Sequence, residues 1–175
     1  MLILIEGVDK CGKSTIGKDI RDATVGLCTF KNVIKPEDKK EATIGRTSGI
    51  YIGAYQFALC NSLSTLFDRS HITEIVYSSR RGYESIAHID WKFYENTILK
   101  GQTLLIYMTA PAKVIAERFI TEKEDYVSQD EIQTLLDRYE TYLATTELPL
   151  LRLSSLDSRQ ENLRKAIDKM RELGY

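Results

Sequence analysis

A glycine-rich segment that directly follows the first apolar run constrains the fold of this chain more than any other feature. Residues Gly7 to Thr15 read GVDKCGKST, a match to G-x-x-x-x-G-K-[ST], and they follow the run Leu2 to Glu6. Glycines let the backbone N–H groups of such a loop point inward, and with the N-terminus of the next helix these groups bind phosphate. The pattern therefore predicts a strand, a phosphate-binding loop and a helix.

The side chains of this loop fit a nucleoside triphosphate. Lys13 would place a positive charge at the β and γ phosphate oxygens, and the Ser14 hydroxyl can ligate Mg²⁺. The loop alone does not separate kinases from GTPases and motor ATPases, although the sequence contains no N-K-x-D guanine signature. The predicted nucleotide-binding residues are Gly7, Lys10, Cys11, Gly12, Lys13, Ser14 and Thr15.

Composition favours one intracellular domain. The 175 residues are 43% hydrophobic, which is enough for one sizeable core, so we predict a single domain over residues 1–175. The net charge of −1 gives no global field for nucleic acid. The first apolar run is broken by Glu6 and has no basic leader, so we expect a cytoplasmic protein without a membrane span. The three cysteines lack C-x-x-C spacing and are predicted to be reduced thiols.

Apolar runs alternate with segments of helical periodicity, as a parallel sheet covered on both faces requires. Ser128 with Glu131, and Ser158 with Glu161, are capping-box patterns that predict the start of two helices. The segment Lys35 to Gly49 is rich in charge and contains glycine, which predicts an exposed loop. The predicted strands are Leu2 to Glu6, Leu27 to Ile34, Leu63 to Asp68, Thr103 to Thr109 and Leu150 to Ser154.

Two separated motifs resemble those of thymidylate kinases. Ile5 to Thr15 is similar to the opening E-G-x-D-x-x-G-K-[ST]-T of that family, and Asp68 to Tyr77 (DRSHITEIVY) is similar to D-R-x-x-x-[ST]-x-x-[AV]-[YF]. Glu124 to Tyr126 and Ser154 with Ser155 look like segments of the short deoxynucleoside monophosphate kinases of phages. The resemblance implies an α/β fold with five parallel strands in the order 2-3-1-4-5. It also implies transfer of a phosphoryl group from ATP to a deoxynucleoside monophosphate, usually thymidylate.

The resemblance also implies roles for single residues. Lys13 would bind the donor phosphates, Ser14 and Asp68 would lie at the metal, and Arg69 would grip phosphoryl oxygens during catalysis. Asp9 would meet the acceptor sugar or its arginine partner, and Tyr77 would stack beneath the deoxyribose. From the residues themselves, Asp68 and Arg69 end a strand, where open α/β sheets bind ligands.

A lid is expected around residues 117–127, between a helix that begins near Pro111 and the helix capped by Ser128. Arg118 is the main candidate for a catalytic lid cation and Lys123 the second, whereas exposed cations at a helix end are the alternative reading. Lys10 could supply this charge instead.

The acceptor base is less well defined by the sequence. Thymidylate kinases hold thymine with a Phe and an Arg four residues later, but the residue four after Phe57 is Asn61. Phe57, together with Tyr51 and Tyr55, supplies aromatic surface that could instead be a buried helix face. The candidates for the missing arginine are Arg46, Arg80 and Arg81.

The sequence is also compatible with other functions. Asp68-Arg69-Ser70 is similar to the E-R-S element of deoxynucleoside kinases, and in that alternative Glu6 would act as a general base on a sugar hydroxyl. A kinase that acts on a hydroxymethyl-pyrimidine in DNA, and a nucleotide sensor without catalysis, are further alternatives. Many thymidylate kinases are homodimers, so a homodimer is possible here too.

Overall fold

Five parallel strands form one sheet in the computed structural model, which describes residues 1–31, 44–77, 90–121 and 128–175. Their order is β2-β3-β1-β4-β5, as predicted. In the register of the sheet, Ile5 pairs with Asp68 on one side of β1 and with Ile106 on the other. The strands are β1 (Leu2–Glu6), β2 (Cys28–Lys31), β3 (Thr65–Asp68), β4 (Thr103–Thr109) and β5 (Leu150–Ser154).

Helices connect the strands and cover the sheet. On the described residues, α1 packs on α7, and α6 packs on both α3 and α5. A five-residue π-helical turn, Glu95–Leu99, continues α4. The helices are α1 (Lys13–Ala23), α2 (Ile44–Cys60), α3 (His71–Val76), α4 (Trp91–Tyr94), α5 (Ala112–Thr121), α6 (Gln129–Leu143) and α7 (Arg159–Glu172).

The central strand explains why the phosphate-binding loop lies in the middle of the molecule. All five residues of β1 are buried, because β3 and β4 flank it and helices cover both of its faces. A strand of this kind must be apolar throughout, and LILIE departs from that rule only at Glu6. The loop therefore leaves the sheet at its centre, beside the carboxyl ends of β3 and β4.

Both predicted helix starts are confirmed. The Ser128 hydroxyl accepts a hydrogen bond from the Glu131 N–H, and the Glu131 side chain accepts one from the Ser128 N–H, which completes a capping box at α6. The Ser158 hydroxyl accepts a hydrogen bond from the Glu161 N–H at α7. These caps satisfy N–H groups that would otherwise lack partners at the helix ends.

The loop prediction for Lys35 to Gly49 is wrong at its end, because α2 begins at Ile44. Gly49 and Gly53 lie inside this helix, and a Cβ added at either would meet open space. Residues 32–43, which include the end of the predicted second strand, lie outside the described residues. In the described part of the chain, no helix has both the length and the hydropathy to cross a membrane.

Candidate nucleotide-binding site

The loop between β1 and α1 has the backbone geometry of a phosphate cradle. Gly7 has φ +143°, and a Cβ at this position would lie 2.1 Å from the Met108 carbonyl oxygen, so only glycine fits. Gly12 has φ +95° and directly precedes α1. Lys10 also has a left-handed backbone, with φ +65°. These turns direct the loop around the N-terminus of α1, where anions bind.

Lys13 lies inside this loop and is only 5% exposed. Its ammonium group donates a hydrogen bond to the Val8 carbonyl oxygen at 2.8 Å, and the sulfur of Cys11 lies 4.0 Å away. Burial raises the pKa of the Cys11 thiol, an effect that the charge of Lys13 opposes but does not overcome. A protonated thiol leaves the positive charge of Lys13 available to phosphate oxygens.

Ser14 and Asp68 meet at the carboxyl ends of β1 and β3. The Ser14 hydroxyl donates a hydrogen bond to Asp68 Oδ2 at 2.8 Å, although 54 residues separate the two positions. A hydroxyl and a carboxylate beside a phosphate cradle are hard oxygen donors of the kind that Mg²⁺ prefers. The donor set therefore fits the predicted metal site.

Arg69 faces the loop from the end of β3. Its guanidinium donates a hydrogen bond to Asp9 Oδ1 and lies 5.7 Å from the centre of the Tyr77 ring. Burial by itself lowers the pKa of Arg69, but the charge of Asp9 outweighs it, so the pKa lies above its ordinary value. Arg69 also has a left-handed backbone, with φ +80°, which is uncommon for a residue other than glycine.

Tyr77 contributes a buried hydroxyl that forms no well-aligned hydrogen bond with the described residues, although the Asp9 backbone and the Arg69 side chain lie near it. The residue is 7% exposed and ends α3, which starts just after Arg69. Burial raises the pKa of Tyr77, so the hydroxyl is neutral and can donate a hydrogen bond. Tyr77 therefore packs against Arg69 and shares its surroundings with Asp9.

Glu6 is fully buried and joins three elements. Its Oε1 accepts hydrogen bonds from the Ser70 N–H and hydroxyl, both at 2.6 Å, and from the Thr73 N–H at 3.3 Å. Its Oε2 accepts from the Thr73 hydroxyl at 2.6 Å and from the Tyr139 hydroxyl at 2.9 Å. This carboxylate therefore ties β1 to α3 and α6, with both oxygens occupied by protein donors.

Arg118 closes the other side of the loop. One guanidinium nitrogen donates to the Lys10 carbonyl oxygen and to the Ser155 hydroxyl, each at 2.8 Å. Arg118 belongs to the last turns of α5, so residues 117–121 of the predicted lid are helical, whereas 122–127, with Lys123, lie outside the described residues. Arg118 thus holds the loop against the segment that follows β5.

A cavity of about 240 Å³ extends from this contact along the groove between α1 and α7. Ile16 and Met108 supply an apolar wall, and the charged pair Asp19 and Arg159 lies at its rim. Its remaining lining residues are Gly12, Thr15, Arg118, Ser155, Asp157 and Asn162. A cavity that starts at the phosphate cradle and has an apolar wall is suited to the base of a bound nucleotide.

A second cavity, of about 270 Å³, lies on the opposite flank of α1. It reaches the Ser14 and Asp68 pair and is bordered by Lys18 and Arg21 of α1 and by Thr29 of β2. The Ser14 and Asp68 pair thus borders this second cavity, whereas the first cavity lies on the other side of α1.

The structure does not place all of the predicted site residues beside the phosphate-binding loop. Phe57 is 58% exposed and follows Tyr55 by two positions, which turns it about 200° away from that buried residue on α2. Tyr51 and Tyr55 are core residues, so the alternative of a buried helix face is correct for them. Arg80 and Arg81 lie outside the described residues, as does the side chain of Arg46.

Other residues of the site were not predicted to belong to it. Thr73 and Tyr139 bind Glu6, and Ser155 binds Arg118. Tyr139 has the helical spacing of a core residue, and only its buried hydroxyl could have suggested a polar partner. Asn162 follows the cap of α7 in a polar stretch that predicts an exposed face.

No protein-family model matches the sequence, and no curated protein matches it. Solved structures do resemble it. The YorR protein of Bacillus subtilis, in complex with phosphorylated GDP, has a TM-score of 0.79 at 20% identity, with coverage of 99% of this chain and 96% of that one. Deoxyadenosine kinase from M. mycoides with bound dATP has a TM-score of 0.64 at 18% identity, with coverage of 98% and 100%. A gluconokinase from Sinorhizobium meliloti 1021 has a TM-score of 0.61 at 16% identity, with coverage of 98% and 91%.

The chain has the P-loop kinase fold. These likenesses extend over nearly the whole of each protein, and they agree with the strand order and with the loop after β1. The predicted P-loop kinase fold is thereby confirmed, whereas membership of the thymidylate kinase family stays a prediction.

Proposed function

We propose that this protein transfers the terminal phosphoryl group of ATP to a deoxynucleoside monophosphate. The observation that carries the proposal is the position of Arg69, which Asp9 holds beside the phosphate-binding loop and next to the Tyr77 ring. A guanidinium at this place can bind the oxygens of an acceptor phosphate and of the group in transfer. The likeness to deoxyadenosine kinase with bound dATP and to the YorR protein in complex with phosphorylated GDP supports a phosphotransferase that uses nucleotides.

The donor would lie along the loop. Lys13 exchanges the Val8 carbonyl for the β and γ phosphate oxygens, and backbone N–H groups at the start of α1 bind the same phosphates. The base would occupy the cavity between α1 and α7, with Arg118 at its entrance. Bound Mg²⁺, held by Ser14 and Asp68, would neutralise phosphate charge.

A phosphate acceptor depends more on its positioning and on neutralisation of its negative charge than on a general base. An acceptor phosphate is already anionic, so its oxygen can attack without losing a proton to the protein. The carboxylates of Glu6, Asp9 and Asp68 all have protein donors: Glu6 has five, Asp9 has Arg69 and Asp68 has Ser14. This arrangement supports a monophosphate acceptor over a neutral hydroxyl.

A deoxynucleoside kinase is the second candidate. Asp68-Arg69-Ser70 and the likeness to deoxyadenosine kinase favour it. In this alternative Glu6 would have to exchange its bonds with Ser70 and Thr73 for the acceptor hydroxyl. That exchange would expose N–H groups at the start of α3, which counts against it.

An ADP-release screen tests the proposal. The purified protein is supplied with ATP and Mg²⁺ and with each of the four deoxynucleoside monophosphates, each parent nucleoside, or duplex DNA with and without hydroxymethyl-pyrimidine. We expect release with at least one monophosphate and only background release with nucleosides and DNA. Lys13→Ala removes the cation at the donor phosphates and should abolish turnover, whereas Lys113→Ala, an exposed lysine on α5 that lines neither cavity, serves as the control.

Each outcome separates the candidates. Release with a nucleoside alone would replace the proposal with a deoxynucleoside kinase, and release with modified DNA alone would replace it with a DNA kinase. ATP binding without release from any acceptor would point to a nucleotide sensor. Full activity in Lys13→Ala would reject the donor site itself.

A further inference from the structure

Arg69 has a backbone conformation that is unfavourable for a residue with a side chain. Its φ of +80° lies in the left-handed region, where the Cβ comes too close to the backbone. Such a conformation persists only where the surrounding structure holds it. The hydrogen bonds on either side of Arg69 therefore identify the groups that keep it in place.

Two consecutive residues of β1 hold the chain where it leaves β3. The Arg69 N–H donates to the Ile5 carbonyl oxygen at 3.0 Å. The Ser70 N–H and hydroxyl both donate to Glu6 Oε1, each at 2.6 Å. Ser70 and Glu6 are both 0% exposed, so water does not compete for these bonds.

The Ser70 hydroxyl also connects this carboxylate to the next helix. Its oxygen accepts a hydrogen bond from the Ile72 N–H at 3.2 Å, and Ser70 is the N-cap of α3. The same hydroxyl donates to Glu6, so one buried group joins β1 to the first turn of α3. Arg69 directly precedes this junction in the chain, and its backbone depends on where Ser70 is held.

We infer that Ser70 is a positioning residue for Arg69, whose hydroxyl, bound between Glu6 and α3, keeps the guanidinium directed toward the phosphoryl oxygens beside the loop. The inference rests on the proposed function, because it takes Arg69 as the residue that binds these oxygens. Asp9 holds the guanidinium itself, so the backbone and the side chain of Arg69 are fixed by separate contacts. Ser70 is fully buried and acts only through Arg69.

The length of the arginine side chain makes this position sensitive. A small rotation of the backbone at Arg69 produces a larger displacement of the guanidinium at the far end of the side chain. A displacement of about 1 Å at a reacting centre can reduce the rate by about 100-fold. Ser70→Ala loses both bonds of the hydroxyl but keeps the N–H bond to Glu6, so a smaller reduction is expected.

Steady-state kinetics of Ser70→Ala, with acceptor and ATP varied in turn, tests the inference. The acceptor is the deoxynucleoside monophosphate that gives the most ADP release with the wild type. We expect kcat/KM for this acceptor to fall about 10-fold, whereas the KM for ATP should change by less than about twofold. Ser128→Ala removes the N-cap hydroxyl of α6, which binds Glu131, and should leave both values within about twofold.

An Arg69→Lys background distinguishes positioning from a general structural role. Lysine keeps the positive charge but lacks the planar fork of donors whose direction matters. If Ser70 acts through the guanidinium, Ser70→Ala should reduce kcat/KM by less than about twofold in this background, whereas a structural defect would reduce it about 10-fold in both. Calorimetric binding of the same acceptor is the readout if turnover is too slow to measure.

The fold of each variant is controlled by urea unfolding. Ser70→Cys keeps a side chain of similar size but replaces the hydroxyl with a weak donor, so it serves as a second variant in case Ser70→Ala does not fold. It should lower kcat/KM for the acceptor in the same way.

The outcomes keep this inference distinct from the proposed function. A loss specific to the acceptor that disappears in the Arg69→Lys background supports the inference. Unchanged kinetics in the Ser70 variants, or equal losses in both backgrounds, overturn it and leave the proposed function intact. Turnover of a nucleoside but of no monophosphate by the wild type overturns the proposed function alone, and the Ser70 comparison is then made with that nucleoside. No turnover of any acceptor by the wild type overturns both.

Discussion

Arg69 and Asp9 form an ion pair that connects the end of β3 with the phosphate-binding loop, across 60 residues of sequence. The Arg69 side chain is 19% exposed and that of Asp9 is 45% exposed, so the guanidinium is the more buried partner. Asp9 therefore acts mainly on the orientation of Arg69, which can form further hydrogen bonds through its remaining donors. A mutation of Asp9 should therefore weaken acceptor binding by changing the orientation of Arg69.

Asp9→Asn tests this relationship. The amide keeps a hydrogen-bond acceptor but loses the charge that orients Arg69, so we expect kcat/KM for the acceptor to fall about 10-fold, or about 1.4 kcal/mol. The KM for ATP should change by less than about twofold. Because Asp9 is nearly half exposed, the free energy of unfolding should fall by less than about 1 kcal/mol.

Steady-state kinetics with each substrate varied in turn, together with urea unfolding, checks both expectations. Asp168→Asn, an exposed carboxylate on α7, is the control. A larger change in the KM for ATP than for the acceptor would show that the pair serves the donor instead.

Glu6→Gln separates a structural carboxylate from a general base. The Oε1 side faces two backbone N–H groups, which cannot become acceptors, so the new amide NH₂ must face the Thr73 and Tyr139 hydroxyls. We expect a loss of about 1–3 kcal/mol of stability from the weakened network. The folded variant should keep kcat within about fivefold for a monophosphate acceptor, whereas loss of a general base costs ~10²–10⁴-fold.

The measurement is urea unfolding combined with kcat at a temperature where the variant is folded. Glu172→Gln, at the exposed end of α7, serves as the control. A loss of several orders of magnitude in kcat without a loss of stability would favour the nucleoside alternative.

Tyr77→Phe removes a hydroxyl that forms no well-aligned hydrogen bond with the described residues but lies near Asp9 and Arg69. Because the buried hydroxyl forms no well-aligned hydrogen bond, the free energy of unfolding should change by less than about 1 kcal/mol. If the hydroxyl binds the acceptor, the acceptor KM should rise about 5- to 10-fold with little change in kcat. A nearly unchanged stability together with a raised KM for the acceptor is not expected of a tyrosine that serves only in the core. Unchanged kinetics would assign Tyr77 to the core alone.

Much of the fold could be predicted because its signals are local. The five strands are apolar runs, and the position of Asp68 and Arg69 after such a run predicts that they lie at the edge where ligands bind. The start of α2 was missed because Gly45 and Gly49 are typical of a loop, and the stability of that helix comes from tertiary packing of Tyr51 and Tyr55.

The site was only partly predictable because several of its contacts depend on how helices pack. The hydroxyl of Tyr139 points to Glu6 only once α6 lies against α3, and a heptad-like spacing does not encode that direction. Asn162 lies in a polar stretch, and the packing of α7 on α1 buries it. Homodimer formation and the role of Arg81 stay predictions.

Arg118→Ala tests whether this residue binds the donor or acts as a catalytic cation. Arg118 is held by the Lys10 carbonyl and by Ser155 at the mouth of the proposed base cavity. We therefore expect the KM for ATP to rise about 10-fold and kcat to fall less than about 10-fold, whereas removal of a catalytic arginine costs ~10³–10⁵-fold in kcat. The exposed Arg171→Ala is the control, and a loss confined to kcat would restore the lid interpretation.

His71 and Glu95 form a fully buried pair behind the acceptor side of the site. Glu95 Oε1 lies 3.1 Å from His71 Nε2 and accepts a hydrogen bond from the Tyr142 hydroxyl at 2.7 Å, while Oε2 accepts one from Thr146 at 3.0 Å. Burial by itself raises the pKa of Glu95, but the hydrogen bond and charge of His71, helped by Tyr142 and Lys92, lower it below its ordinary value of 4.5.

This lowered pKa predicts how Glu95→Gln depends on pH. A carboxylate with a lowered folded-state pKa contributes stability that is fully present above its unfolded-state pKa and is lost as the pH falls through the folded-state pKa. At about pH 7 we expect the variant to be less stable by about 1–3 kcal/mol, because the amide cannot accept at both positions. Below about pH 4 the gap should narrow, since the wild-type carboxylate becomes protonated as well. Urea unfolding of both proteins across this range checks the prediction, and a gap that stays constant with pH would show that the charge of Glu95 does not stabilise the pair.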